Sequence, residues 1–314
     1  MPTTTRKRPR GLPFAVSDLP EPLTAAPSDS PAHHVRVALD RRLRALLRHD
    51  PSTRNGADME DLHQMRVAVR RMRATLKAAR PLLEATWADG LRAELGRLGR
   101  ALGPVRDLDV MLLRLRGEIA TLPARERSAG EVLVDVLESE RSAARAEMLA
   151  ALDAPRYTAL LERLADAIRL PLPTPSATKA RPELADLVRA EARTLRKAVE
   201  RAGENPPDEA LHALRIHGKR LRYTGELAKP ALGRPVKQLL VATEGLQEVL
   251  GDHQDACVAE QRIRELLDGL GDLPDAHVVF AAGRLVERER ARAEQKRAQW
   301  WAAWEQVRVR AEEL

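Results

Sequence analysis

LHQMRVAVRRMR, from Leu62 to Arg73, returns as LHALRIHGKRLR, from Leu211 to Arg222. His63, Arg66, Arg70, Arg71 and Arg73 fall on His212, Arg215, Lys219, Arg220 and Arg222 at a constant offset of 149 residues. On a helix of 3.6 residues per turn, His63, Arg66, Arg70, Arg73 and Lys77 lie within an arc of about 80°, and Leu62, Met65, Val69, Met72 and Leu76 fill a neighbouring arc of similar width. One arc suits a helical core and the other is basic. In the second copy, His212, Arg215, Lys219 and Arg222 share one side while Leu211, Leu214 and Leu221 share the other. Gly218 stands where the next apolar residue would be, which predicts close helix packing there.

A second pair of strings follows downstream. LGPVRDLDV from Leu102 returns as LGDHQDACV from Leu250, 148 residues later, with Leu102, Gly103, Asp107 and Val110 on Leu250, Gly251, Asp255 and Val258. Looser similarity lays Arg41, Leu43 and Arg44 on Arg193, Leu195 and Arg196. Two ordered matches at nearly one offset predict a tandem duplication. Ala, Leu, Arg and Glu dominate, and aromatics are only 3% of the chain, so β-type runs are scarce and the expectation is all-α.

Working outward, residues 1–32 are rich in Pro, Thr and Ser without helical period and read as a disordered tail. A Pro-rich stretch, residues 171–182, reads as a linker between repeats at 33–170 and 183–314. Shorter breaks are expected at Asp50–Gly56, Leu122–Pro123, Asp153–Pro155, Asn205–Pro207 and around Gly269–Pro274, giving five or six helices per half. The Leu-Gly pairs read as further breaks, with Asp107 and Asp255 as first-turn acids or as partners that orient Arg.

The 53 Lys and Arg against 46 Asp and Glu give a net charge of +7, which suits an anionic partner without choosing one. The basic row has a cost, because like charges at i,i+3 and i,i+4 destabilise a helix by roughly 0.2–0.5 kcal/mol per pair. Residues 62–80 contain no Asp or Glu to offset it. A bound anion explains such a row; acids reaching over from neighbouring helices are the alternative. An imidazole among arginines has its protonated form disfavoured until an anion arrives, so His63 and His212 read as pH-sensitive phosphate ligands. The single cysteine, Cys257, allows no internal disulfide and no multi-cysteine zinc site, which fits a cytoplasmic setting. No apolar stretch is long enough to span a membrane.

The duplicated H-x-x-R-[VI]-x-x-x-[KR]-x-R helix, together with the duplicated L-G-x-x-x-D-x-x-V segment, resembles the CHAD family, the conserved histidine α-helical domain, over about residues 33–310. The resemblance implies two antiparallel helical bundles of four-helix type, related by a pseudo-two-fold axis around a basic central cavity or groove. It also implies non-catalytic binding of inorganic polyphosphate and association with polyphosphate granules. Carried over by position, the ligands would be His63, Arg66, Arg70, Arg73, His212, Arg215, Lys219 and Arg222, with Arg41, Arg44, Arg193 and Arg196 in second rank. Arg106 faces Gln254 in the alignment, and this departure puts the equivalence of the halves in question there, with His253 next door as a substitute.

Two rivals remain. Nucleic acid would use the same electrostatics, although no aromatic platform interrupts the basic helices before Tyr223, and Trp300, Trp301 and Trp304 read as packing residues. A metal-dependent phosphohydrolase could draw on Asp107-Leu-Asp109 or on Asp252, His253 and Asp255. However, an Asp-x-Asp pair splays by about 200° on a helix, so no metal, cofactor or catalytic residue is expected.

Overall fold

The computed structural model describes residues 16, 18–56, 58–175, 183–271 and 274–314. Among the described residues there is no strand, and ten α-helices make up the fold. They are α1 (Pro31–Asn55), α2 (Met59–Ala78), α3 (Ala85–Ala120), α4 (Ala124–Asp153), α5 (Pro155–Arg169), α6 (Leu184–Ala202), α7 (Asp208–Leu232), α8 (Arg234–Asp268), α9 (Ala276–Arg297) and α10 (Trp300–Glu312). Five precede the Pro-rich stretch and five follow it, within the expected number per half. Residues 176–182 of that stretch lie outside the described residues.

Helix ends follow local chemistry. Ser30 caps α1 by accepting from the His33 N–H, and Pro31, which has no N–H to lose, opens the first turn. Gly56 closes α1 in the left-handed region, φ 71°, donating its N–H to the Ser52 carbonyl at 2.9 Å. The break expected from Asp50 is therefore displaced to Gly56. Pro51 sits inside the last turns, where Asp50 is tied to Arg54 at 2.6 Å and to the Tyr157 hydroxyl at 2.5 Å. The Leu-Gly pairs are not breaks either: α3 runs unbroken through Leu102–Gly103, and α8 through Leu250–Gly251. Asp107 and Asp255 are accordingly mid-helix residues, and the first-turn role is ruled out.

Contacts divide the chain into two compact units: residues 1–106 with 146–182, and residues 107–145 with 183–314. This boundary falls inside α3 and α4 and so departs from the simple halves expected from the repeat. In the first unit, α1 packs on α2 and α5. The apolar arc of α2 is buried as its period requires, with Met65 and Met72 fully covered and Leu62, Val69 and Leu76 nearly so. The described part of the expected tail is tied down rather than disordered. The Leu23 N–H donates to Asp40 at 2.8 Å, the Thr24 carbonyl meets the His33 ring at 2.7 Å, and Arg44 donates to the Pro20 carbonyl.

In the second unit, α8 is the central element, contacting α7, α9 and α10, while α6 packs on α7. Leu112, Leu115, Leu133, Leu137, Ile263 and Leu285 belong to one buried cluster of this unit. The tight approach expected at Gly218 occurs two turns later. A Cβ at Gly218 would lie 3.9 Å from Leu246, an ordinary contact, whereas one at Gly225 would lie 3.0 Å from Leu240. Trp300 is buried, meets Trp301 edge-on at 5.2 Å and donates its indole N–H to the Glu204 carbonyl at 3.1 Å, which is the packing role expected of that cluster.

Buried Glu289 accepts from Arg114 at 2.8 Å and from Arg292 at 2.9 Å, joining α9 to α3 within this unit. Removing the carboxylate strands the half-covered Arg114 guanidinium and takes one partner from Arg292, which keeps Glu118. Glu289→Ala is expected to lower the unfolding free energy by about 1–3 kcal/mol, read from the urea midpoint. An unchanged midpoint would mean that the pair contributes nothing.

Candidate functional site

In the first unit, α2 presents His63 and Arg66 half-buried and Arg70, Arg73 and Lys77 exposed. The row lies beside a glycine series on α3. The Arg73 guanidinium is 3.5 Å from where a Gly96 Cβ would stand, Val69 is 3.7 Å from that of Gly99, and Arg66 Nη1 is 3.8 Å from that of Gly103. Arg66 Nη1 also donates to the Gly103 carbonyl at 2.7 Å. That hydrogen bond holds the guanidinium on the helix surface and fixes its position before any ligand arrives. Burial, followed by Arg106, Arg70 and Arg66, holds the His63 imidazole below its ordinary value, with Glu60 opposing. The arginine effect expected from sequence is present, but desolvation is the larger cause.

The second unit repeats the device locally. Arg215 Nε and Nη2 lie 3.8 Å from where a Gly251 Cβ would stand, and Nη2 donates to Asp255 Oδ1 at 3.4 Å. The L-G-x-x-x-D aspartate thus orients the H-x-x-R arginine, the second of the two roles expected for it. His212 Nδ1 pairs with Gln254 Oε1 at 2.7 Å, so the departure from Arg106 to Gln254 replaces a repelling cation by a hydrogen-bond partner. Lys219 is half-buried on the same helix.

Arg222 departs from the picture of an unbalanced basic row. It donates to Glu244 at 2.9 Å, Gln247 at 3.2 Å and Glu226 at 3.3 Å, so neighbouring acids do reach this end of the stripe. Arg44 is likewise engaged, by Asp40 at 2.7 Å and by the Pro20 carbonyl, and holds the 18–24 segment to α1. Arg41 is exposed. Arg193 and Arg196 come together with Arg189 and Arg308 around a pocket of about 200 Å³ floored by Leu221, Trp304 and Val307.

Sequence reasoning missed a further basic group in the first unit. Arg97 and Arg156 share Glu94, the latter at 2.9 Å, and Arg100 and Arg163 stand close enough to depress Arg97, after desolvation and Arg156. The residues come from α3 and α5, which are far apart in sequence, so no single string could reveal the group.

The carboxylates of the metal-enzyme rival are dispersed. Asp109 is buried against Arg141 at 2.5 Å while Asp107 is exposed. Asp252 pairs with Lys296 at 2.8 Å, His253 with Asp208 at 3.1 Å and Asp255 with Arg215, three different directions from one helix.

What emerges is an all-helical protein with a braced His/Arg helix in each unit. Residues 37–264 match the model of the CHAD domain, and the chain belongs to the CHAD family. It is 31% identical over 284 residues to the uncharacterized proteins MT2285 and Rv2226 of two Mycobacterium tuberculosis strains. The match covers 87% of this chain and 53% of either relative, so the chain spans about half the length of the curated relatives it matches. The crystal structure of the CHAD domain from the plant Ricinus communis superposes with a TM-score of 0.68 at 26% identity, covering 94% of this chain and 96% of that one. PptA from Streptomyces chartreusis has the same fold, with a TM-score of 0.71 at 22% identity over 87% of this chain and 99% of that one. No helix among the described residues is long and apolar enough to cross a membrane.

Burial is the leading cause that depresses His34, His63 and His253 below 6.5. A group whose folded pKa is lowered takes up its proton first in the unfolded chain, so the stability it supports is present above the unfolded value and is lost as pH falls below it. The melting temperature is therefore expected to fall between about pH 7 and about pH 5, and His63→Gln to reduce that fall. An identical pH profile for the variant would contradict the assignment.

Proposed function

We propose that this chain binds inorganic polyphosphate without catalysing its turnover, through the two His/Arg/Lys helix faces of a duplicated bundle. The carrying observation is the recurrence of a cation row whose leading arginine is held by the neighbouring helix, Arg66 by the Gly103 carbonyl and Arg215 by Asp255. Family membership supports the choice of anion, since CHAD domains are associated with polyphosphate. The proposed ligands are His63, Arg66, Arg70, Arg73, His212, Arg215 and Lys219. Arg222 contributes less, because its charge is already met by Glu244 and Glu226. Arg41, Arg193 and Arg196 are outlying contacts, and Arg44 is a structural residue.

The chemistry suits a phosphate chain. Residues seven apart on a helix are roughly 10 Å apart, so one row follows several phosphates of an extended polymer. Guanidinium groups offer forked, charge-assisted hydrogen bonds to phosphate oxygens, and a homopolymer needs no base readout. A phosphate beside His63 favours its protonated form, so affinity rises as pH falls. This reading places the protein on polyphosphate granules in the cytoplasm.

Replacing Arg66, Arg70, Arg215 and Lys219 together by Ala tests the reading with long-chain polyphosphate. The expected result is an affinity loss on the order of a hundredfold or more, with a salt dependence shallower by about one unit per cation removed. Because Arg66 and Arg215 also make internal bonds, the melting temperature should change little: relief of repulsion offsets the lost contacts. Unchanged affinity in the folded variant would remove these faces as the site.

A further inference from the structure

Where α7 begins beside α8, three residues of different metal-ligating types meet. Asp208 is the first residue of α7, and His253 and Cys257 are one turn apart on α8. One carboxylate oxygen, one imidazole nitrogen and the thiol sulfur all lie within 4.8 Å of one another. His253 Nε2 is 3.1 Å from Asp208 Oδ1 and 3.9 Å from Cys257 Sγ. Tetrahedral zinc, with bonds of about 2.0–2.3 Å, would hold nitrogen and oxygen about 3.4 Å apart and nitrogen and sulfur about 3.6 Å apart. The two edges that meet at His253 Nε2 are thus within a few tenths of an ångström of those of a coordination triangle, and the third is no longer than 4.8 Å.

Three further observations bear on this cluster. His253 is 2% exposed, and its Nε2 edge faces the other two groups while its Nδ1 has no hydrogen-bond partner. Asp208, Glu294 and Glu260 act on His253 or Cys257, opposed by Arg297, which donates to the same Asp208 Oδ1 that meets His253 and would have to yield it to an ion. Finally, the cluster is no part of the repeated anion device. At the repeat offsets, the positions of Asp208, His253 and Cys257 are taken in the first half by Met59, Val105 and Asp109, which cannot form the same set.

We propose that Asp208, His253 and Cys257 form a binding site for one borderline-soft divalent cation, of which Zn2+ is the best fit, with water as the fourth ligand. Half-exposed Asp208 provides the entry. On binding, the Cys257 S–H bond breaks, its proton leaves to solvent and a sulfur–metal bond forms; nothing is oxidised or reduced. Empty, the thiol is held protonated, pushed up to about 11 mainly by burial, with Asp208 and Glu260 adding to it, while His253 is kept neutral by the same burial. A dication inverts that balance for the thiol. The ion would clamp the start of α7 to α8, beside the Gln254 and Asp255 that position His212 and Arg215.

The test uses the full chain, stripped by chelator and free of polyphosphate, titrated with Co2+ and then with Zn2+. One equivalent of Co2+ is expected to give tetrahedral d–d bands and a thiolate-to-cobalt charge-transfer band, which Zn2+ abolishes. Since Cys257 is the only cysteine, that band reports on it alone. Cys257→Ser should lose the band, and Asp208→Asn and His253→Gln should each weaken Zn2+ binding at least tenfold. Zn2+ should raise the melting temperature of the native chain but not of Cys257→Ser. Absence of the band in the folded native chain would overturn the proposal. So would Zn2+ affinity unchanged in folded Asp208→Asn, which would reduce the site to a surface thiol.

Discussion

A guanidinium group tied by a hydrogen bond to the neighbouring helix is the contact on which the candidate site depends. A helix that lines up His, Arg and Lys on one face pays for the repulsion among them. Here that face is held in place by its neighbour: Arg66 and Arg215 pass over Gly103 and Gly251, 3.8 Å from where a Cβ would stand. The carbonyl of Gly103 and the carboxylate of Asp255 then fix the direction of each cation. Apolar packing on the opposite arc, through Leu62, Met65, Val69, Met72 and Leu76 in one unit and Leu211, Leu214 and Leu221 in the other, keeps the helix seated despite the charge.

The two units solve the remaining electrostatics differently. In the first, Arg106 adds to the cations acting on His63. In the second, Gln254 Oε1 accepts from His212 Nδ1, and Glu244 and Glu226 meet Arg222. The repeated residues therefore do not carry equal charge environments.

Much of the fold was legible in the chain. The 3.6-residue period of Leu62–Leu76 and the recurrence at Leu211–Arg222 both led to buried helix faces, and the two basic rows stand on single helices. What was not legible involved partners distant in sequence. Pro51 and the Leu-Gly pairs looked like breaks, yet α1 runs on until Gly56 closes it, and α3 and α8 continue through the Leu-Gly pairs. The bonds from residues 18–24 to Asp40, His33 and Arg44 anchor a stretch whose composition reads as disordered. The acids that meet Arg222, the Arg97–Arg156 group and the Asp208–His253–Cys257 cluster each need two or more helices to assemble, and no local period or spacing encodes them.

On the proposed reading, these faces are preorganised for a phosphate polymer rather than being a generic cationic surface. Competition between long-chain polyphosphate and single- or double-stranded DNA across a salt series tests it most directly. Braced cations predict polyphosphate binding that persists at salt concentrations where DNA has been displaced. Affinities for polyphosphate and DNA that fall together with salt would contradict the claim and make nucleic acid the better ligand.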